Sequence, residues 1–381
     1  MAVGIIAEFN PFHNGHKYLI DTAKKLTGES VVVVMSGSFV QRGGIAITDK
    51  LTRAKAALSN GADLVIELPV TFSHNTAQRF ATGAVATLGG CGIIDTLAFG
   101  SETGSADALL TAAQMLANEP EAVSLKIKQL MKDGISYPAA RQIAYDGLFD
   151  TSVLSTPNDI LAVEYLKACY ELNFDMKPYP VKRTGVNHDS KTTTNSIASA
   201  SQIRQMLCDG EKTGNFMPCS DFNIYDEKRL DTAVISNLRL TSPEKLSQIC
   251  DVGEGLENKF IQAAMQTDTV TDLCEAVKSK RYTLSRIRRI AYSSLIGITK
   301  DAAALMPSYI RVLGMNENGR QLLRDMKEKA TLPIIIKPAD YKGDTIFNLN
   351  TRAEDIFSLC APLENLRCGG NDLRITPVVM E

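Results

Sequence analysis

The sequence predicts an α/β fold with two parts: an N-terminal domain built around a parallel sheet (residues 1–215) and a mostly α-helical C-terminal domain (residues 216–381). Three observations support this division. Short apolar runs alternate with helical patterns over the first 200 or so residues, as in β-α-β units. Polar segments follow directly on the predicted strands. The chain becomes polar and irregular between about residues 210 and 230, and beyond this stretch it is mostly helical.

The predicted elements follow from apolar runs and from helical spacing. The predicted strands are Val3–Glu8, Val31–Met35, Leu64–Leu68, Thr96–Phe99 and Tyr179–Lys182. Helices are predicted near Gly15–Leu26, Lys50–Asn60, Thr76–Leu88 and Ala106–Ala117, and through residues 119–172 with breaks at Gly134, Pro138 and Thr156-Pro157. The second domain contains two extended pieces, Tyr309–Leu313 and Leu332–Lys337.

The composition is that of an ordinary globular protein, with 44% hydrophobic and 22% charged residues. No apolar run of about 18 residues occurs, so no membrane association is expected. The N-terminus lacks the pattern of a signal peptide, which favours a cytoplasmic location. Eight scattered cysteines without a CxxC pair predict reduced, buried thiols rather than disulfides or a zinc site. The net charge of -2 means that any nucleic-acid contact needs a local basic surface.

The first chemical motif follows the first strand, where Asn10-Pro11 is succeeded by His13-x-Gly15-His16 and a helical pattern. A strand, a tight turn and a helix start present backbone N–H groups and a positive helix end to a phosphate chain. Gly15 permits close backbone approach, and imidazole N–H groups can donate to phosphate oxygens. The alternative is two chance histidines in a polar turn, in a chain with four histidines. The motif resembles the HxGH signature of the nucleotidylyltransferase superfamily, whose Rossmann-like domain binds ATP or CTP.

The second motif is the stretch from Ser199 to Arg204, which opens a helical pattern with Ser199 or Ser201 as N-cap. By itself it is a common capped helix. In the superfamily that the first motif resembles, a Ser/Thr-x-x-x-Arg element at a helix start closes over the triphosphate, and Ser201 and Arg204 match it by residue type and place. A guanidinium at this place can stabilise the charge of a departing pyrophosphate.

Further polar segments follow other strand ends, as expected of a ligand site in a parallel α/β sheet. The loop Ser36–Gly43 carries one arginine and is either part of the site or a solvated turn. Gly100 allows a nucleotide to approach the backbone. Asn158, early in a helix that begins with a proline, either caps the helix or contacts the nucleotide. Lys182-Arg183 is either a site element or a bare surface pair.

Together these pieces resemble one family, the bacterial tRNA(Met) cytidine acetate ligases. The matching stretches are GIIAEFNPFHNGH, VVMSGSFVQRG, RAKAALSNGADLVIELPV, FGSETG, STPNDILAVEY, SASQIR, KSKRYTLSRIRRI, RVLGMNENGRQLLRDMK and LPIIIK. The sequence departs from the family pattern at Gly44-Ile45, where an acidic residue and a small apolar pair are more usual.

The resemblance implies that ATP activates acetate to acetyl-adenylate, and that the acetyl group then passes to N4 of the wobble cytidine of elongator tRNA(Met). It implies His13, His16 and Arg204 as catalytic residues, with Mg²⁺ bridging the ATP phosphates and no dedicated metal ligand in the protein. The residues implied to bind ATP are Ala7, Glu8, Phe9, Asn10, Pro11, Phe12, His13, Asn14, Gly15, His16, Lys17, Tyr18, Leu19, Ile20, Gly100, Asn158, Arg183 and Ser201.

A basic segment between Glu275 and Asp301 contains no acidic residue and is the predicted tRNA-binding surface. A charge run of this kind is otherwise a solvated face. On a helix from about Thr283, the residues expected to face the core are Leu284, Ile287, Ala291 and Leu295, with Arg286 and Arg289 outward. The residues predicted to bind RNA are Lys278, Lys280, Arg281, Arg286 and Arg289.

Two other functions compete with this interpretation. One is a nucleotidylyltransferase that joins a nucleotide to a small phosphorylated metabolite, although the basic second half argues against it. The other is a non-catalytic, nucleotide-gated RNA-binding protein. The remaining histidines, His74 and His188, are expected only to cap a helix or to lie in a loop.

Overall fold

The computed structural model describes residues 1–183, 198–253 and 255–381. Its centre is a mostly parallel sheet with strand order β10-β8-β5-β2-β1-β6-β7, and β9 pairs with β8. A separate two-stranded hairpin is formed by β3 and β4. The strands are β1 Ala2–Ala7, β2 Ser30–Ser36, β3 Phe39–Val40, β4 Gly44–Ile45, β5 Leu64–Leu68, β6 Ile94–Ser101, β7 Lys177–Lys182, β8 Ile310–Met315, β9 Ile334–Ile335 and β10 Val378–Val379.

The helices flank the sheet and form most of the second half of the chain. In the described ranges they are α1 Asn14–Thr27, α2 Lys50–Ser59, α3 Val70–Ser73, α4 Ala77–Gly90, α5 Ala106–Ala117, α6 Glu121–Lys132, α7 Tyr137–Tyr145, α8 Pro157–Glu171, α9 Ala200–Cys208, α10 Asp231–Leu240, α11 Pro243–Ser247, α12 Leu256–Gln266, α13 Val270–Val277, α14 Leu284–Ile296, α15 Lys300–Ala304, α16 Glu317–Lys329 and α17 Thr345–Ser358.

Alternate residues of the central strands enter cores on the two faces of the sheet, because successive side chains of a strand point to opposite sides. Val3 and Ile5 of β1 pack with Ile20 of α1 on one face, whereas Ile6 faces the core beneath α4, α5 and α8. Both faces are covered, and the strands accordingly read as continuous apolar runs. The parallel register aligns Ile5 with Val33 of β2 and Ala98 of β6. The carboxyl ends of these strands therefore meet at one edge of the sheet.

A third core is formed by the helices of the second half, mainly α10, α12, α13, α14 and α17. The hairpin contributes Phe39 and Ile45 to this core, so the first half of the chain is inserted into the second. Conversely, β8 lies antiparallel to β5 in the central sheet, with Arg311 opposite Glu67. The division into domains at about residue 215 stays a prediction, and the sheet extends across it.

The predicted α/β class is confirmed, and several predicted bounds lie close to the observed ones. β5 covers the predicted Leu64–Leu68, and α5 the predicted Ala106–Ala117. The predicted break at Pro138 is wrong, since this proline lies in the first turn of α7. Proline is well tolerated there because the first helical N–H groups have no partner inside the helix. The two predicted extended pieces of the second half correspond to β8 and β9, whereas β10 near the C-terminus was not predicted.

Candidate active site

The turn after β1 places two histidine rings at the N-terminus of α1. His13 is the N-cap, and its Nδ1 accepts a hydrogen bond from the backbone N–H of Gly15 at 3.0 Å. His16 Nδ1 accepts from the N–H of His13 at 3.2 Å, which closes a reciprocal capping box. The two rings stack with centroids 3.8 Å apart. Because each Nδ1 acts as acceptor, the neutral rings are assigned their proton on Nε2.

Gly15 is required by the histidine arrangement itself. A Cβ at this position would lie 2.8 Å from Cε1 of the His13 ring, which is too close for any other residue. The capping imidazole occupies the space beside Gly15, and the predicted close approach of a phosphate at this glycine stays a prediction.

The His16 ring is held in its neutral form. Burial lowers its pKa well below 6.5, and the nearby His13 and Arg183 add to the effect. A neutral ring whose Nδ1 is occupied can offer Nε2–H as a hydrogen-bond donor. The phosphate-donor role predicted for this motif is consistent with that chemistry.

The histidine pair opens into a cavity of about 430 Å³ at the carboxyl ends of β1, β6 and β7. This volume is in the range of small-ligand sites. The predicted site residues that line it are Ala7, Glu8, Phe9, Asn10, His13, Gly15, His16, Tyr18, Leu19, Gly100, Asn158 and Arg183. Gln41 and Arg42 also line it, and they belong to the loop Ser36–Gly43 that was left open as part of the site. The lining residues that were not predicted include Ile6, Phe80, Phe99, Tyr165 and Ala200, and Ser199 had been predicted only as a helix cap.

The remaining predicted residues lie outside the cavity wall. Phe12 and Ile20 belong to the core between α1 and the sheet, and Pro11 is buried. Lys17 is exposed in an ion pair with Asp21 at 2.7 Å. Further residues in this group are Asn14, whose amide donates to the carbonyl of Asn215, and Ser201, whose Oγ is 3.1 Å from Ser199 Oγ.

Arg204 braces the turn after β1, although it is not among the residues that line the cavity. Its Nη1 donates to the carbonyl oxygen of Asn10 at 2.7 Å, which ties α9 to this turn. Burial lowers the pKa of Arg204, with Arg42 acting in the same direction and Glu8 opposing it. The Ser199–Arg204 element therefore meets the His13-x-Gly15-His16 turn through a backbone carbonyl, and its predicted role over the triphosphate stays a prediction. Ser199 is its N-cap.

The opposite wall is built from the ends of β6 and β7 and the start of α8. Arg183 Nη1 lies 3.4 Å from Asn158 Oδ1, and Asn158 Nδ2 donates to Glu102 Oε1 at 2.5 Å. A Cβ at Gly100 would lie 3.7 Å from the Arg183 side chain, an ordinary van der Waals contact, so this arginine does not require a glycine here. Asp159, fully buried, accepts hydrogen bonds from the backbone N–H groups of Glu102 and Thr103. Sequence reasoning missed the roles of both carboxylates: Glu102 holds the Asn158 amide, and Asp159 holds the backbone of Glu102 and Thr103.

Arg53 is a second element that sequence reasoning missed. Its buried guanidinium donates to the carbonyl oxygens of Glu8, Ser36 and Gly37. These carbonyls follow the ends of β1 and β2, so one side chain fixes two neighbouring strand ends at the cavity. Burial lowers the pKa of Arg53 to about 10 against the attraction of nearby carboxylates, including that of Glu8. An arginine in the middle of a helix gave no sequence signal for this role.

The loop Ser36–Gly43 is a buried hairpin, with Arg42 as its exposed tip. The carbonyl of Val40 is 3.1 Å from His74 Nδ1, and Arg288 Nε donates to the carbonyl of Gly43 at 2.5 Å. A Cβ at Gly44 would lie 2.7 Å from Glu227 Oε1, so the glycine leaves room for the Arg288–Glu227 ion pair. The solvated-turn alternative for this loop is wrong.

Two predictions are corrected by the packing under this hairpin. Arg289, expected outward, is 6% exposed because it pairs with Asp251 at 2.8 Å and donates to the carbonyl of Gln41. His74, expected to cap a helix start, is buried at the end of α3 and bridges the carbonyls of Val40 and Arg289. The other histidine, His188, lies outside the described residues.

The basic segment before α14 is exposed at Lys278, Lys280 and Arg281. Arg286 is half-buried, donates to the carbonyl of Asp251, and lies over the Tyr282 ring at 5.0 Å. Leu284, expected in the core, is 41% exposed. Ile287 and Ala291 are buried as predicted.

A second group of charges lies behind the hairpin, at the same edge of the sheet. We call it the strand-end network: Lys50, Glu67, Arg311, Glu354 and Asp372. Lys50 Nζ is 2.8 Å from Glu67 and 2.5 Å from Asp372, and Arg311 is 2.5 Å from Asp372. The network joins α2, β5, β8 and α17, so it connects the two halves of the chain through buried ion pairs.

Within residues 1–183, 198–253 and 255–381, no group of three His, Cys, Asp or Glu residues is arranged to hold a metal ion. The same ranges contain no helix that is both long and apolar enough to cross a membrane.

Comparison with known proteins extends this description. Residues 1–371 match the family model described as HIGH Nucleotidyl Transferase. The tRNA(Met) cytidine acetate ligase of Thermoanaerobacter sp. (strain X514) is 40% identical over 94% of each chain. That of Clostridium perfringens (strain ATCC 13124) is 35% identical over 99% of this chain and 98% of its own. The crystal structure of Thermotoga maritima TmcAL bound with alpha-thio ATP superimposes over the full length of both chains, with a TM-score of 0.91 and 32% identity.

Proposed function

The chain belongs to the HIGH nucleotidyl transferases and, among them, to the tRNA(Met) cytidine acetate ligases, and from this premise we propose the reaction that its cavity performs. It is an ATP-dependent ligase that activates acetate to acetyl-adenylate. It then transfers the acetyl group to N4 of the wobble cytidine of elongator tRNA(Met). Because the substrate is a tRNA, we propose that the reaction takes place in the cytoplasm.

The observation that carries the proposal is the neutral histidine pair at the positive end of α1, opening into the cavity. Histidine N–H donors and a helix N-terminus together favour a phosphate chain. Arg42 and Arg183 line the same cavity. The bound alpha-thio ATP of the Thermotoga maritima protein, which shares this fold, supports ATP as the nucleotide.

The first step joins the acetate oxygen to the α-phosphorus of ATP and releases pyrophosphate. Acetate is a carboxylate at neutral pH, so this step needs no general base. It needs in-line positioning and stabilisation of the charge that grows on the phosphates. Nε2–H of His16 and the guanidinium of Arg183 are suited to this because both are donors. Arg204 acts indirectly, through its hydrogen bond to the Asn10 carbonyl.

The second step joins the cytosine amine to the acetyl carbon and releases AMP. An exocyclic cytosine amine is a weak nucleophile, so it requires an acyl group with a good leaving group. The adenylate supplies one. The activation step therefore prepares the acetyl group for attack by this weak nucleophile.

Mg²⁺ is proposed to enter with the ATP phosphates. The donor set along the cavity does not form a dedicated metal site, since Glu8 is the one carboxylate among the described residues that line it. When bound, the ion would neutralise phosphate charge; the protein residues derived above bind and orient the phosphates in either case.

The tRNA is proposed to contact the exposed basic segment before α14. Lys278, Lys280 and Arg281 carry this proposal because they are exposed, whereas Arg289 is committed to Asp251 and to the hairpin. We propose with it that residues 1–215 form the catalytic domain and residues 216–381 the tRNA-binding domain. Phosphate contacts of this kind make affinity strongly dependent on salt.

The test is incorporation of labelled acetate into total bacterial tRNA with ATP and Mg²⁺. Label recovered as N4-acetylcytidine is the expected result. Pyrophosphate release that needs a phosphorylated metabolite instead of acetate would point to a small-molecule nucleotidylyltransferase. ATP binding without pyrophosphate release under any combination of substrates would point to a nucleotide-gated RNA-binding protein.

A further inference from the structure

Glu8 has no evident purpose in binding the two small substrates. It is the first residue after β1 and lines the cavity together with both histidines. ATP and acetate are both anions, so a carboxylate in this position opposes their binding rather than assisting it. In the described part of the chain, its Oε1 accepts the backbone N–H of Gln41 at 2.9 Å and no hydrogen bond to its Oε2 is found.

The second step of the reaction requires a proton acceptor. When the cytosine N4 attacks the acetyl carbon, the nitrogen becomes positively charged and must lose a proton. A general base within hydrogen-bond reach of that proton accelerates such a step by about 10²–10⁴.

The other polar groups of the cavity are poorly suited to this task. Nδ1 of each histidine accepts a backbone N–H, so Nε2 carries the proton and acts as a donor. Arginine and asparagine side chains do not accept a proton at neutral pH. Burial raises the pKa of Tyr165, which keeps the phenol protonated. Glu8 is therefore the group on the cavity wall, among the residues described, that is chemically able to act as base.

The charged groups that face Glu8 come from three helices. The guanidinium of Arg53 on α2 donates to the Glu8 carbonyl, and Arg204 on α9 and Tyr165 on α8 interact electrostatically with the Glu8 carboxylate. Two cations and a neutral phenol thus surround one carboxylate. This arrangement offsets the cost of holding the carboxylate in a cavity that binds anions.

We propose that Glu8 is a catalytic residue of the transfer step, where its carboxylate accepts a hydrogen bond from the cytosine N4 amine and takes the proton that the amine loses. The N4–C bond forms, the bond between the acetyl carbon and the phosphate oxygen breaks, and AMP leaves with that oxygen. A carboxylate is also the group that pairs naturally with the cytosine amine in nucleic-acid recognition. This inference rests on the proposed function and adds the base and the acceptor group to it.

Glu8→Gln is the discriminating variant. An amide keeps an oxygen to accept the Gln41 N–H, so the hairpin remains anchored, but it cannot take a proton. The two steps are measured separately: acetate-dependent ATP–pyrophosphate exchange for activation, and single-turnover transfer from synthetic acetyl-adenylate to tRNA. We expect transfer to fall about 10²–10⁴-fold, and to fall at least tenfold more than activation. Glu8→Asp, which keeps a carboxylate on a shorter side chain, should recover part of the transfer rate that Glu8→Gln loses.

The matched control is Glu102→Gln, which alters a carboxylate on the opposite wall that holds Asn158. Both carboxylate oxygens of Glu102 accept hydrogen bonds, from the Asn158 amide and from the Asp159 N–H, and an amide can accept only one of them. This variant should therefore show the reverse pattern, a larger effect on activation than on transfer from acetyl-adenylate. Equal losses of both steps in Glu8→Gln would overturn the inference, because they would mean that Glu8 acts on ATP, on Mg²⁺ or on the hairpin. An unchanged transfer rate in Glu8→Gln would overturn it as well. Wild-type protein that fails to acetylate tRNA from acetyl-adenylate would instead overturn the proposed function.

Discussion

The strand-end network and the cavity lie at the same edge of the sheet, yet they differ in how their charged side chains are paired. In the network, Lys50 and Arg311 each contact carboxylates of the chain, and all five side chains are buried or nearly so. In the cavity, Arg42 and Arg183 form no ion pair within the described residues, and Glu8 is the one carboxylate on the described wall. The chain supplies the counter-charges in the first region. In the second, under the proposed function, the phosphates of ATP would supply them.

This difference predicts two kinds of mutant. A substitution in the network should reduce stability and leave the activity of the folded protein intact. A substitution in the cavity should reduce the activity and leave the stability of the protein nearly unchanged. The largest effect is expected for a substitution in the network and the smallest for one in the exposed basic segment.

Lys50→Met should give the largest loss of stability, about 3–5 kcal/mol, because it leaves Glu67, Glu354 and Asp372 with Arg311 as their one cation in the network. Urea unfolding measures the change. The matched control is Lys55→Met, an exposed lysine of the same helix, which should shift stability by no more than about 0.5 kcal/mol. A Lys50→Met protein as stable as the control would show that the network does not hold the two halves together.

Substitutions of His16 should act mainly on the rate. His16→Ala should lower the activation rate about 10²–10³-fold, the usual cost of losing one donor to developing charge. His16→Asn retains an acceptor near Nδ1 for the His13 N–H, whereas His16→Gln retains a donor near Nε2. Pyrophosphate exchange should therefore be higher in the Gln variant and thermal stability higher in the Asn variant. The opposite order for exchange would contradict the donor role of Nε2.

His74 lies beneath the hairpin, between the two regions, and should make stability depend on pH. Burial, with Arg289 nearby, lowers its pKa to about 4 against two carbonyl acceptors that favour the imidazolium. The unfolded chain binds this proton at about pH 6.5, so stability is fully present above that pH and is lost as the pH falls towards 4. The loss should be about 2 kcal/mol between pH 7.5 and pH 5. His74→Asn should be less stable at pH 7.5 but flatter over this range, as urea unfolding would show. Parallel curves for the two proteins would exclude this role.

Lys280→Ala should have the smallest effect. If the exposed segment before α14 contacts tRNA phosphates, the slope of log affinity against log salt concentration should become shallower by about 0.7–0.9. Lys128→Ala, an exposed lysine on α6, serves as the control and should leave the slope unchanged. Filter binding of tRNA at several salt concentrations measures both. An equal change in the two variants would mean that the effect is one of net charge alone.

The comparison also shows which parts of the molecule local sequence can predict. β5 and the His13-x-Gly15-His16 turn were predictable because an apolar run, a turn and a helix start lie within a few residues. The strand-end network was not, since its partners are as far apart in sequence as Lys50 and Asp372. Arg289 was misplaced for a similar reason. The helical pattern of α14 predicts its apolar face. The contacts of Arg289, however, depend on the hairpin, which belongs to the other half of the chain and packs against α14.

The most direct test of the central claim is a crystal structure of this protein with a non-hydrolysable ATP analogue and acetate. The account predicts triphosphate oxygens within hydrogen-bond distance of His16 Nε2 and Arg183, and the nucleoside against Gly100 and Asn158. It also predicts an unchanged strand-end network with no ligand atom in contact. Nucleotide bound elsewhere on the protein, or a triphosphate that does not contact His16, would contradict it.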